Sequence, residues 1–173
     1  MKLVKAAADH FDLIYAEMEK NFIADERRDK KDAEKILGSE KFSIYLANND
    51  DGVNVGFVTV WELTNFAFVE HFVIYERYRN KGYGGEALFE LKKKYNALVL
   101  EAEPPLSGIQ KRRIAFYERN GFLINPQKYI QPSYRIGGRG VELILMSFPS
   151  RLADFLATVC EVYENVYGAG ESK

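Results

Sequence analysis

Apolar positions recur every second residue in some stretches of the chain and every third or fourth in others, and that alternation sets the order of expected elements. Leu3-Val4-Lys5-Ala6 reads as a short strand. Asp9 stands where a helix cap would, ahead of Phe11, Leu13, Ile14, Met18 and Phe22, whose spacing predicts an amphipathic helix. Ile23 to Asp29 is a charged loop, and Lys30 to Leu37 a shorter helix closed by Gly38. Phe42 to Ala47 and Val53 to Trp61 form a hairpin around Asn48-Asn49-Asp50-Asp51-Gly52, residues that tolerate left-handed backbone. After Glu103-Pro104-Pro105 has ended a strand over 97–102, Leu106 to Asn120 is helical and Gly121 its left-handed stop. Phe122 to Ile124 and Val141 to Phe148 are the last two strands, separated by a loop over 125–140 that is longer than a hairpin needs. Beyond Pro149, Leu152, Phe155, Leu156, Val159, Tyr163 and Val166 recur at helical spacing, and Gly168 to Lys173 is a frayed tail.

The stretch from Phe66 to Tyr95 organises the rest. Phe66 to Tyr75 is almost wholly apolar or aromatic and predicts a strand buried on both faces. A basic, glycine-broken turn follows from Arg77 to Gly85, and Ala87, Leu88, Leu91 and Tyr95 then mark a helix with Lys92, Lys93 and Lys94 near its end. The first amides of a helix have no intrahelical partners, and the macrodipole adds partial positive charge there. Glycines at 82, 84 and 85 let a ligand reach that backbone, with Arg77, Arg79 and Lys81 around it, so the turn suits a phosphate. Neither G-x-x-x-x-G-K-[S/T] nor G-x-G-x-x-G is present, which excludes a P-loop and a dinucleotide fingerprint.

Arg79-x-x-Gly82-x-Gly84-Gly85, between an apolar strand and a helix, resembles the [R/Q]-x-x-G-x-[G/A] motif of the GNAT-type N-acetyltransferases. About thirty residues on, Arg113-Ile114-Ala115-Phe116-Tyr117-Glu118-Arg119-Asn120-Gly121-Phe122 is similar to that family's A-x-x-[F/L]-Y-x-x-x-G-F block. The resemblance covers residues 1–148. It implies an α/β (α+β) fold, a mixed and mostly antiparallel sheet flanked by helices, with 149–173 a helical extension packing on this domain or on a partner subunit.

It also implies acetyl-CoA as co-substrate, with no metal, and a small amine or peptide amine as acceptor. The pyrophosphate would lie on Arg79, Asn80, Lys81, Gly82, Tyr83, Gly84 and Gly85. The pantetheine arm would lie along Phe72, Val73, Ile74 and Tyr75, between this strand and a splayed 97–102, with the backbone of Val73 and Tyr75 facing it. Gln110 stands where the family often has Asn, and Gln110, Arg113 and Phe116 complete the cofactor set. Tyr117 matches the tyrosine that protonates the departing thiolate; its alternative is core packing. An amine must be neutral to attack, so a proton acceptor is needed. Glu70 is the first candidate and His71 the second, and alternation puts them on opposite faces, so one of them would see the acetyl group. A satisfied buried polar residue is the alternative for either.

The acceptor side would be bordered by the first helical region, making Glu19, Asn21, Phe22 and Asp25-Glu26-Arg27-Arg28 candidates, and by the long loop with Tyr129, Tyr134 and Arg135. A solvated charged loop is the other reading of 25–28. The acidic Glu101-Ala102-Glu103 segment would favour a cationic acceptor, or is simply solvated.

Composition narrows the rest. With 173 residues one domain is expected, and a hydrophobic content of 47% with 28% charged residues is that of a globular protein. A net charge of -1 gives no reason to expect nucleic acid. The sole cysteine, Cys160, cannot form an internal disulfide, and neither a leader nor a long apolar span is seen, so a cytoplasmic protein without membrane association, monomeric or homodimeric, is expected. A non-catalytic acyl-CoA sensor and an interaction module built on the last helix are the competing functions.

Overall fold

The structure, a computed structural model, describes residues 1–135 and 137–168. Ile136 of the long loop and 169–173 of the expected tail lie outside the described residues. The chain groups into two compact units, Met1–Glu62 with Val69–Lys94, and Leu63–Phe68 with Tyr95–Lys173. The fold is mixed α/β, with antiparallel strand pairing in both units.

In the first unit the strand order is β1 (Lys2–Lys5), β2 (Phe42–Asn48), β3 (Asn54–Glu62) and then β4 (Ala67–Ile74), whose first two residues belong to the second unit. The β2–β3 turn is closed by Asn49, whose N–H donates to the Val53 carbonyl at 2.9 Å and whose Oδ1 accepts from Val53 N at 2.8 Å, with Gly52 at φ 78°. Strand β3 buries Val55, Phe57, Val58, Thr59 and Val60 completely, so both of its faces are covered. Helix α1 (Phe11–Asn21) buries Phe11, Ile14, Tyr15 and Met18, one stripe at helical spacing, while Leu13 is 73% exposed. Asp9 is not its cap. A 3-10 turn over Ala8–His10 intervenes, His10 takes the cap position, and Asp9 pairs with the His10 ring at 2.8 Å. Helix α2 (Lys30–Ile36) is capped by Asp29, which accepts from Asp32 N at 2.9 Å; Leu37 is its C-cap. Helix α3 (Tyr83–Lys94) packs Ala87 against Ala47 and Val55.

In the second unit β5 (Leu98–Ala102) and β6 (Leu123–Ile124) flank β8 (Val141–Phe148), and the start of β4 joins them through Ala67 N–H to the Ala97 carbonyl at 2.9 Å. Part of the long loop is itself a strand, β7 (Tyr129–Gln131), paired to β8 with Tyr129 opposite Leu143. Helix α4 (Gly108–Arg119) begins at a Ser107–Gln110 capping box, two residues after the expected Leu106, and is followed by Gly121, φ 83°, the left-handed stop that the sequence predicts. Helix α5 (Phe155–Val162), capped by Asp154, continues into a π turn over Tyr163–Tyr167. Val162 and Val166 are buried within this unit, and Glu161 accepts from Thr64 N–H at 2.6 Å. Among the described residues no helix is long and apolar enough to cross a membrane.

Candidate active site

The strand–turn–helix of the first unit takes a shape few sequences allow. After β4 a 3-10 turn over Glu76–Tyr78 is followed by Asn80 at φ 60° and Gly82 at φ 88°, two left-handed residues around Lys81. Glycine takes that region freely and asparagine tolerates it, so both residues suit the turn and a neighbour need only fix it in place. Arg79 does the fixing: its Nε donates to the Ile74 carbonyl at 2.9 Å and its Nη2 to Asn21 Oδ1 at 2.6 Å, tying the turn to β4 and α1. The first intrahelical bond of α3 runs from Glu86 N–H to the Gly82 carbonyl at 3.2 Å. The amides of Tyr83, Gly84 and Gly85 therefore precede the helical ladder. A Cβ built on Gly82 would find only the Glu86 carboxylate, 3.9 Å away. Lys81 and Arg77 are exposed and lie over the Tyr78 ring at 5.6 and 4.8 Å. This is a cradle of backbone donors with cations beside it, which suits a diphosphate.

The backbone of β4 departs from one expectation. Tyr75 N–H donates to the Val55 carbonyl at 3.0 Å, and a side chain on Gly56 would overlap the Val73 carbonyl oxygen. These groups of Val73 and Tyr75 thus look toward β3, not toward an extended ligand. By the alternation of a strand's backbone, the groups that look the other way are those of Phe72 and Ile74. Gly56, which sequence reasoning missed, permits the close approach.

Glu70 and His71 are not on opposite faces. Both line one narrow cavity of about 10 Å³, room for about one water, with Phe11, Met18, Arg28 and Ala33, and His71 Nδ1 is 3.8 Å from Glu70 Oε2. The ladder is irregular here, because His71 N–H donates to the Thr59 hydroxyl at 2.9 Å, and such irregularities re-aim side chains. Arg28, which reaches over the Trp61 ring at 5.4 Å, donates to Glu70 Oε1, and Trp61 Nε1 donates to Oε2 at 2.9 Å. Burial pushes the Glu70 carboxyl up, but the Arg28 guanidinium, His71 and these bonds outweigh it, and the net shift is downward. An ion-paired carboxylate with a lowered pKa is a weak base.

His71 is held as firmly. The Thr59 hydroxyl, already accepting from His71 N–H, donates to His71 Nδ1 at 3.2 Å, which leaves the proton on Nε2 to face the Glu26 carbonyl at 3.4 Å. Phe22 packs edge-on against the ring, centroids 4.7 Å apart. Burial lowers the His71 pKa, so the imidazole is neutral at pH 7. The acceptor-side candidates of the sequence are therefore knitted together: Arg27 donates to the Tyr15 hydroxyl at 2.6 Å and to Glu19 at 3.2 Å, and that hydroxyl donates to the Arg28 carbonyl.

The second unit holds the other candidates. Tyr117 is buried against Phe116 and Phe122, with ring centroids at 5.3 and 5.8 Å, and burial pushes its phenol up to about 12, leaving it protonated at neutral pH. Gln110 spends its amide on the capping box and on Glu103 at 3.2 Å, and Arg113 pairs with the same carboxylate at 2.5 Å. Tyr129 donates to Glu101, as does Tyr167 at 2.8–2.9 Å, while the Tyr134 ring packs tilted against Tyr167, centroids 5.0 Å apart. Burial, then the Glu101 charge, raises the pKa of Tyr129 and Tyr167. Glu101, Tyr163 and Tyr167 as one cluster escaped sequence reasoning; an acidic strand end and a Tyr pair at i,i+4 were the only signals.

The profile of the acetyltransferase (GNAT) family matches residues 8–122. The Bacillus subtilis (strain 168) protein YjbC, which carries an acetyltransferase name, is 29% identical over 110 residues, 62% of this chain. That match spans only 55% of YjbC. A solved structure from Bacteroides thetaiotaomicron, named for the same GNAT family, is 27% identical with a TM-score of 0.90, over 97% of this chain and 99% of that one. A Vibrio cholerae spermidine N-acetyltransferase, solved with CoA and spermine, shares the fold at a TM-score of 0.60 and 13% identity, over 85% of this chain and 94% of that one. With two thirds of its length inside the family profile and its strand–turn–helix built as the motif requires, the chain belongs to the GNAT acetyltransferase family.

Proposed function

We propose that the protein is an acetyl-CoA-dependent N-acetyltransferase acting on a primary amine by direct transfer. The observation that carries the reading is the head of α3, where three amides and an unobstructed Gly82 follow a turn locked by Arg79. Bound there, acetyl-CoA supplies a thioester: the acceptor nitrogen forms the new C–N bond, the C–S bond breaks, the amine gives up one proton and the thiolate takes one. Arg79, Asn80, Lys81, Gly82, Tyr83, Gly84 and Gly85 hold the diphosphate, and the pantetheine arm runs along β4 beside Phe72 and Ile74, with the Ile74 carbonyl held by Arg79. Gln110, Arg113 and Phe116 lie on the helix that carries Tyr117. Tyr117, neutral and buried, is the proton donor to the thiolate.

Glu70 and His71 serve this reading as positioning residues. They anchor Arg28 and the Glu26 backbone, and with them the segment that borders the acceptor, and the amine's proton leaves through water. The spermidine enzymes resemble this chain at 12–14% identity, too distant to carry their acceptor over.

Calorimetry with coenzyme A tests the cradle. Gly82→Val forces a β-branched residue into φ 88° and puts methyl groups where the phosphate lies, so affinity falls more than about 100-fold in a variant with wild-type circular dichroism. Unchanged affinity in that folded variant sinks the reading. Tyr117→Phe keeps CoA affinity and lowers turnover by about 100-fold.

A further inference from the structure

Asn21, the last residue of α1, uses both ends of its side-chain amide. Its Nδ2 donates to the Glu17 carbonyl at 2.8 Å, one of the groups that a helix end leaves without a partner, and this bond fixes which way the amide faces. Its Oδ1 is left to accept from Arg79 Nη2 at 2.6 Å, from a residue fifty-eight positions along the chain. Arg79 is exposed, and its Nε is already given to the Ile74 carbonyl at 2.9 Å. A guanidinium carries its N–H donors in one rigid plane, so anchoring Nε and Nη2 sets the direction of the others. The next residue, Phe22, closes α1 through its N–H to the Met18 carbonyl at 2.9 Å and lays its ring edge-on against His71, centroids 4.7 Å apart. The end of one helix is thus tied to the phosphate turn by Asn21 and to β4 by Phe22, where the segment bordering the acceptor begins.

We propose that Asn21 is a positioning residue for the cofactor: it aims Arg79 at the diphosphate, and the same bond carries cofactor occupancy to the end of α1. An arginine free to turn gives up rotamer freedom when it meets an anion, which costs several-fold in affinity. Asn21 and the Ile74 carbonyl impose that order on Arg79 before the cofactor arrives. Linkage makes the effect reciprocal. A diphosphate held on Arg79 steadies the bond to Asn21, and with it the turn of α1 that ends at Phe22. Asn21 acts through Arg79 and makes no bond of its own to the cofactor, which reassigns a residue that the sequence alone offers as an acceptor contact. The inference rests on the acetyl-CoA reading of this turn and adds to it a residue outside the motif.

Calorimetry with coenzyme A over a double-mutant cycle reads the link. Asn21→Ala weakens CoA by about 3–10-fold in the otherwise wild-type protein and by less than about twofold in an Arg79→Ala background, where the residue it acts through is gone. A residue that only holds α1 together costs the same in both backgrounds, and that result overturns the proposal. So does unchanged affinity in a folded Asn21→Ala. Amide exchange reads the same bond without Arg79→Ala, should that variant bind CoA too weakly to titrate. Saturating CoA slows exchange at the Phe22 amide by more than about fivefold in wild-type protein and leaves it unchanged in Asn21→Ala saturated with CoA. Equal slowing in the two proteins, or none in wild type, overturns the proposal while leaving the acetyltransferase reading intact. Failure of the wild-type protein to bind CoA overturns both.

Discussion

Glu70 on β4 and Glu101 on β5 are strand carboxylates, one in each compact unit, and the protein treats their charges in opposite ways. Glu70 is buried with a side-chain exposure of 1%, and a guanidinium and an indole N–H meet it. Glu101 keeps some contact with solvent and takes phenol hydroxyls. The first arrangement neutralises: Arg28, itself only 10% exposed, cancels the charge, and the pair becomes a fastening between the segment after α1 and the sheet. The second orients a carboxylate through hydroxyl donors from two distant tyrosines. A pocketed carboxylate is thus a poor guide to chemistry until the identity of its partners is known.

Removing the partner in each place should break the comparison unequally. Arg28→Ala takes the guanidinium away from a buried carboxylate, and the unfolding free energy from urea denaturation should fall by about 3–5 kcal/mol. A loss under about 1 kcal/mol would mean the pair is fully compensated by solvent. Tyr167→Phe deletes one charge-assisted bond at a half-open site, so the same measurement should show a smaller loss, about 1.5–3 kcal/mol. If the two losses are equal, the contrast between neutralised and oriented carboxylates fails.

The smallest effect sharpens the contrast through pH. The His71 pKa is held below its ordinary 6.5 chiefly by burial, so the unfolded chain binds a proton that the folded one refuses. Stability from this group is complete above about pH 6.5 and is lost as pH falls below it. His71→Gln should flatten the acid side of the stability profile between about pH 6.5 and 5, leaving the neutral plateau shifted but level. An unaltered acid slope in the variant would assign that slope to other groups.

The motif-bearing parts of the chain were legible because their chemistry is local. A glycine that needs φ 88°, a helix head that needs unpaired amides, and Gly121 ending α4 are all written within a few consecutive residues. The expected hairpin around Gly52 holds for the same reason. Where the reading went astray, the cause was a partner far along the chain. Glu70 and His71 line one cavity, the His71 amide is taken by Thr59, twelve residues away, and Glu70 is occupied by Arg28, forty-two residues away. Asp9 lost the cap position to a 3-10 turn, and part of a long loop became β7 because β8 offered an edge.

The sequence by itself determined most of the order of strands and helices, the family and the left-handed glycine turn ahead of α3, since each depends on side-chain period and on backbone freedom within short windows. Only the tertiary structure decided which polar residues are spent on one another and which remain for a ligand. Hydrogen bonds and ion pairs are settled by proximity in space, and Tyr167 meets Glu101 across sixty-six residues that no local pattern connects.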